Sequence, residues 1–214
     1  MKNHTYILSG LGADERVFSR INFPENHTHL GWIANTANES LTSYAARMTE
    51  KINHPNPILV GLSFGGIVAQ EIAAILPVKE LILISTIKSK NEKPWYFEYA
   101  ARFNLIGLMP AFLLAKPTVF VRYAFSLNTK EDETVLKSCF GTATPRHIKW
   151  AMTQIANWKG VKTQTSTYHI HSQEDRIFTK SRSQADAFIQ GGHFAVYTHA
   201  EELNDVLHKK FTEL

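Results

Sequence analysis

A chain of 214 residues, 44% hydrophobic and 20% charged, can bury one sizeable core and is too ordinary in composition to be disordered or fibrous. Its net charge of +4 comes from scattered side chains, with no basic run longer than Lys209-Lys210, so the basic stripe of a nucleic-acid footprint is absent. No segment approaches the roughly 20 apolar residues that span a bilayer. The N-terminal segment also lacks a secretory h-region. Cys139 is the sole cysteine, which forbids an intrachain disulfide and points to a reducing compartment. The expectation is a cytoplasmic protein, with Cys139 a free, half-buried thiol.

In chain order, "TYILS" (5–9) reads as a buried strand that runs into a loop holding Gly10 and Gly12. "THLGWI" (28–33) is a weaker strand. A helix is predicted from Leu41, with Ser40 as N-cap and Leu41, Tyr44, Ala45, Met48 and Ile52 on one face. "PILVGL" (57–62) is a continuous apolar run of the kind parallel central strands show. "GGIVAQEIAAIL" then predicts a helix stopped by Pro77, and "ELILIST" (80–86) another buried strand. From about Lys88 to Gly160 the chain turns helical and aromatic, with Trp95, Tyr96, Phe97, Tyr99, Phe103, Phe112, Phe120, Tyr123 and Phe125. Most of these rings are expected to form that segment's own core. Strands resume at "TSTYHIHS" (165–172) and "DAFIQ" (186–190). Thr198-x-x-Glu201 then reads as a capping box for a last helix that turns Leu203, Val206, Leu207 and Phe211 inward. Strands alternating with amphipathic helices imply an α/β fold with a mostly parallel sheet, as one domain spanning 1–214 with residues 88–160 inserted over one end.

Gly61-Leu62-Ser63-Phe64-Gly65 matches G-x-S-x-G, between an apolar strand and a helix. In that setting the pattern reads as a nucleophile elbow, a sharp turn that lifts a serine hydroxyl above the strand end. Serine needs a base to become nucleophilic, and the base needs an acid to orient it. Of the ten histidines, His193 fits best, lying in "IQGGHFAVY" just after the last short strand. The others fall in polar loops, on the strand of His169 and His171, or on surface-like helix faces, as His147 and His208 do. The acid is expected from the loop "HIHSQEDRIF", where Asp175 is preferred and Glu174 is the reserve. His169 and His171 could form a metal pair on one strand face, but no third ligand has a suitable spacing, and no metal is expected.

"GLSFGG", "HSQED" and "GGHF", in the order Ser63, Asp175, His193, resemble the α/β-hydrolase family in its short, capped bacterial form, over nearly the whole chain. The resemblance implies a trimmed sheet of about six strands with helices on both faces, and makes 88–160 a helical lid. It assigns the loop Ser9-Gly10-Leu11-Gly12 to an oxyanion hole formed by the Leu11 and Phe64 backbone N–H groups, with Gly10, Leu11 and Phe64 also lining the substrate site. Three features depart from the family pattern. Ser9 stands where the family usually has histidine before the glycine, and Ser172 where the acid loop often has glycine. The spacing of 18 positions from Asp175 to His193 leaves room for little or no helix.

The implied activity is serine hydrolysis of a small carboxylic ester or related acyl substrate, without metal or organic cofactor. A serine at the elbow sets the chain apart from haloalkane dehalogenases and epoxide hydrolases, which use aspartate there. Thioesterase, carbon–carbon hydrolase, amidase and acyltransferase activities stay open, as does a ligand-binding or signalling homologue with negligible turnover. Neither a nucleic-acid nor a membrane partner is expected, and the sequence leaves the oligomeric state open.

Overall fold

The central strand β3 (Ile58–Leu62) is buried along its whole length, because both faces of its sheet are covered. In the computed structural model, which describes residues 3–114, 119–140 and 143–214, it lies between β1 (Thr5–Leu8) and β4 (Glu80–Ile84). β2 (His27–His29), β5 (Ser166–Ser172) and β6 (Ala187–Ile189) complete a six-stranded sheet, ordered β2-β1-β3-β4-β5-β6 and parallel throughout. Successive side chains of a strand point to opposite faces. Leu59 and Leu81 therefore join Tyr44, Met48, Ile67 and Ile72 in one core layer. Val60, Ile82 and Ile170 join Phe194, Leu203 and Leu207 in the other.

Helix α1 (Leu41–Thr49) starts at Ser40, whose side chain accepts the Ser43 N–H. The next helix, α2 (Phe64–Ala73), is buried at every position. Glu71 on α2 ties this layer together, accepting from Thr42 Oγ1 at 3.0 Å and from Trp158 Nε1 at 2.8 Å. Between β4 and β5 run α3 (Trp95–Arg102), α4 (Leu105–Leu108), α5 (Ala111–Leu114), α6 (Val119–Ala124), α7 (Lys130–Cys139) and α8 (Pro145–Asn157). Buried Lys93 anchors this stretch by donating to the carbonyls of Ala156 and Trp158, both at 2.7 Å. The chain ends with α9 (Ala195–Thr198) and α10 (Ala200–Thr212). Among the described residues, no helix is long and apolar enough to cross a membrane.

Several local expectations are corrected. β2 covers His27–His29, and residues 30–33 leave the sheet. The Thr198–Glu201 capping box does not form: the chain breaks at His199, which takes the N-cap position of the last helix without a side-chain cap bond. A complete capping box occurs at Thr129 and Asp132, where none was expected. Cys139 is fully buried, and His147 is buried rather than superficial. Most aromatic rings of the insertion face outward, including Trp95, Tyr99, Phe103 and Tyr123, each more than half exposed. The Phe120 side chain lies outside the described ones.

Leu59→Ala is expected to lower the unfolding free energy by about 2–5 kcal/mol, read as a shifted urea midpoint at constant slope. A second expectation concerns the buried Glu39, which accepts from Arg47 Nε and Nη2 at 2.8 Å and from the Thr36 N–H at 2.8 Å. The Arg47 guanidinium holds its carboxyl below the usual carboxylate range, against the opposing effect of burial. The folded state therefore binds this proton less readily than the unfolded chain. The resulting stability is complete above the unfolded value near 4.5 and disappears as pH falls through the lower folded value. Glu39→Gln should thus destabilise at neutral pH and flatten the acid limb of a stability–pH curve.

Candidate active site

Parallel strands end on the same side, so the loops after β1, β3, β5 and β6 open together at one edge of the sheet. At the end of β3, Ser63 has φ 51° and ψ −117°, a conformation non-glycine residues rarely adopt. It is held from both sides. Its N–H donates to the Ile84 carbonyl at 2.9 Å, and Thr86 Oγ1 donates to its carbonyl at 2.6 Å. The flanking glycines are required by contact. A Cβ on Gly61 would lie 2.5 Å from Gly66 Cα, and one on Gly65 would lie 2.5 Å from the Leu8 carbonyl oxygen and closer still to that of Ser9. A Cβ on Gly66 would strike the Thr86 side chain at 2.6 Å.

His193 follows β6 and the Gly191-Gly192 pair, where Gly191 takes φ 88°. Its Nε2 accepts from Ser63 Oγ at 2.9 Å, and its Nδ1–H donates to Asp175 Oδ2 at 2.7 Å. The carboxylate can only accept, which places the proton on Nδ1 and leaves the Nε2 lone pair for the hydroxyl. The other oxygen of Asp175 accepts the N–H groups of Ile177 and Phe178, each at 2.8 Å. Asp175 and His193 are both buried. The three side chains proposed from sequence thus form one hydrogen-bonded row, while Glu174 is exposed and outside it.

The Gly10 loop lies against the Ser63 turn, since a Cβ on Gly10 would sit 3.6 Å from Ser63 Cβ. Ser9 fastens this loop by donating its hydroxyl to the Ala13 carbonyl at 2.5 Å. Trp32 Nε1 donates to the carbonyls of Gly10 and Ala13, and its ring packs 5.4 Å from that of Phe64. The Leu11 and Phe64 N–H groups have no hydrogen-bond partner among the described residues. Ser172 pairs its hydroxyl with that of Ser85 at 3.0 Å. A cavity of about 610 Å³ lies beside the loop, lined by Ser9, Ala13, Trp32, Asn35, Thr144 and His147. Ser63 is not among its lining residues, so it is a neighbour of the site rather than its floor.

The insertion also reaches the site. Phe125 stands edge-on to His193 with ring centroids 5.1 Å apart, and Phe178 lies 5.8 Å away on another side. Tyr96 donates to the Ile177 carbonyl at 2.5 Å, and Arg176 donates to the Tyr123 carbonyl at 3.1 Å. These contacts fasten the insertion to the loop carrying Asp175. Sequence reasoning gave no site role to Trp32, Thr86 or Phe178 and weighed His171 only as half of a metal pair, because their contacts are made only in the fold. Among the described residues, no group of three or more His, Cys, Asp or Glu side chains could hold a metal ion. His169 is wholly enclosed, and burial pushes its ring down to about 3.

A six-stranded parallel sheet with a strained serine turn at its edge defines a class, and comparison with known proteins gives it a name. The model of the alpha/beta hydrolase family matches residues 4–206, and the chain belongs to that family. Solved structures with the same fold include a thermophilic esterase from Thermogutta terrifontis, at TM-score 0.70 and 16% identity, covering 99% of this chain and 90% of that one. Another is a putative non-heme bromoperoxidase, BpoC, from Mycobacterium tuberculosis, at TM-score 0.71 and 15% identity, covering 100% and 93%. An esterase from Exiguobacterium antarcticum aligns at TM-score 0.70 and 14% identity over 99% and 93%. No curated protein matches the chain. Membership of that family makes the chain a hydrolase in general terms.

The glycine contacts separate two substitutions. Gly65→Ala meets backbone that cannot move aside and should cost at least about 1–3 kcal/mol of stability. Gly10→Ala makes only ordinary contact at 3.6 Å and should change the melting temperature little.

Proposed function

We propose that the protein is a serine hydrolase acting on a small carboxylic ester or related acyl substrate through an acyl-enzyme. The observation that carries this reading is the continuous row from Ser63 Oγ through His193 to Asp175, at 2.9 and 2.7 Å. His193 Nε2 takes the hydroxyl proton as Ser63 Oγ attacks the substrate carbonyl, and the imidazolium formed is stabilised by Asp175. His193 then returns that proton to the leaving alcohol. Water enters, gives a proton to Nε2 and attacks the acyl carbon, and Ser63 leaves with its proton restored. The negative oxygen of each tetrahedral intermediate is held by the Leu11 and Phe64 N–H groups, a donor of this kind being worth about 2.7–4 kcal/mol.

In this reading the insertion at 88–160 is a lid. Its Phe125 shields His193 from water, and the aromatic surroundings suit a small apolar or aromatic acyl group over a polar one. The lone, buried Cys139 agrees with a cytoplasmic setting. The esterase neighbours support the ester bond as the target, and the fold they share supports hydrolysis more broadly.

A fluorophosphonate probe should label the folded protein, and Ser63→Ala should abolish labelling. On a short-chain p-nitrophenyl ester, Ser63→Ala should reduce kcat by about 10⁶-fold, and Asp175→Asn by about 10⁴-fold. No labelling of the folded wild type would remove the enzyme reading in favour of a binding protein. Turnover across a panel of esters, thioesters and amides of varied acyl length identifies the bond.

A further inference from the structure

Four residues before Asp175 on β5, the side chain of His171 is completely enclosed. A buried imidazole is a costly way to fill space that leucine or phenylalanine could fill, so its hydrogen bonds should account for it. It has one. Its Nε2 lies 2.6 Å from the Phe178 carbonyl oxygen, which can only accept, so Nε2 carries the proton. Nδ1 is buried and has no partner among the described residues. Burial lowers the ring from its ordinary value, against a smaller opposing pull from Asp175, and this favours the neutral form.

Phe178 is the residue through which His171 reaches the row. Its N–H donates to Asp175 Oδ1 at 2.8 Å, and its ring lies 5.8 Å from that of His193. Asp175 Oδ2, which receives the His193 proton, is 4.0 Å from His171 Nε2. A charged His171 at that distance would draw on the same carboxylate that must stabilise His193. A neutral one grips the turn without competing.

We propose that His171 is a positioning residue: a neutral imidazole that, through the Phe178 carbonyl, locks the 175–178 turn so that Asp175 Oδ2 faces His193. The inference rests on the hydrolase reading above. Two residues earlier on the same strand face, His169 is equally enclosed but makes no hydrogen bond to the acid loop. It therefore serves as a packing control.

The test compares His171→Leu, His171→Asn, His171→Gln and His169→Leu with wild type. It reads kcat and KM on a short-chain p-nitrophenyl ester and the rate of Ser63 labelling by fluorophosphonate, corrected for the folded fraction by circular dichroism. Glutamine places its amide N–H where imidazole Nε2–H lies, whereas asparagine falls short of the Phe178 carbonyl. Because small misplacements of a catalytic group can cost up to about 100-fold, Leu and Asn should lower kcat and labelling by about 10- to 100-fold with KM nearly unchanged. His171→Gln and His169→Leu should stay within about threefold of wild type. Should the leucine variant not fold, the Gln–Asn pair decides. Equal rates for Gln and Asn, or a wild-type rate in a folded Leu variant, overturn the inference while leaving the hydrolase reading intact. Absence of labelling in wild type removes both.

Discussion

Everything at this site hangs on how closely β3 and α2 pass their neighbours. At Gly61, Gly65 and Gly66 an added Cβ would lie within 2.6 Å of backbone or of the Thr86 side chain, nearer than any real Cβ contact allows. Between them Ser63 sits at φ 51°, a conformation that costs on the order of 1–3 kcal/mol and persists only when its surroundings insist on it. Here they do so through hydrogen bonds from Ser63 to Ile84 and from Thr86 to Ser63, both on the neighbouring chain segment that leaves β4. The result is a serine hydroxyl raised off the sheet and fixed in direction before any partner is considered.

The partners arrive because the sheet is parallel. β5 and β6 end on the same side as β3, and the chain between Asp175 and His193 contributes only a 3₁₀ turn at Lys180–Arg182 and the three residues of β6. So short a connection makes the loops of Asp175 and His193 neighbours. They are joined directly, with Gln173 N–H donating to the Ile189 carbonyl and Glu174 N–H to that of Gly191, each at 2.9 Å. The two serines that depart from the family pattern fit the same logic. Ser9 closes its own loop onto Ala13, and Ser172 pairs with Ser85 across two adjacent strands.

The insertion after β4 is bound to the site rather than merely placed above it. Tyr96, Tyr123 and Ser126 each bond to the segment from Glu174 to Ile177, and the Arg176 guanidinium lies 4.3 Å over the Tyr123 ring. A displacement of these helices would pull on the loop that carries Asp175. Their aromatic side chains divide accordingly: Phe97 and Phe125 turn toward Phe178 and His193, and Trp95, Tyr99 and Phe103 turn outward.

Much of this was legible in the sequence, for reasons that are local. The continuous apolar run at 58–62 requires a strand buried on both faces, Ser40 requires only its own next turn to cap a helix, and glycine spacing around Ser63 reflects contacts within one strand–turn–helix unit. The sequence therefore determined the alternation of strands and helices, the α/β class and the short list from which Ser63, Asp175 and His193 were drawn. Where residues competed on nearly equal local terms, it could only rank them. It preferred Asp175 to the adjacent Glu174, and what separates the two in the fold is that Ile177 and Phe178 turn their N–H groups onto Asp175, while Thr198 lost its capping role when the chain broke at His199. The outward aromatic rings, the enclosed His147 and the grip of His171 on Phe178 likewise depend on which layer covers which surface. That is settled by packing between segments far apart in the chain, and only the tertiary structure decides it.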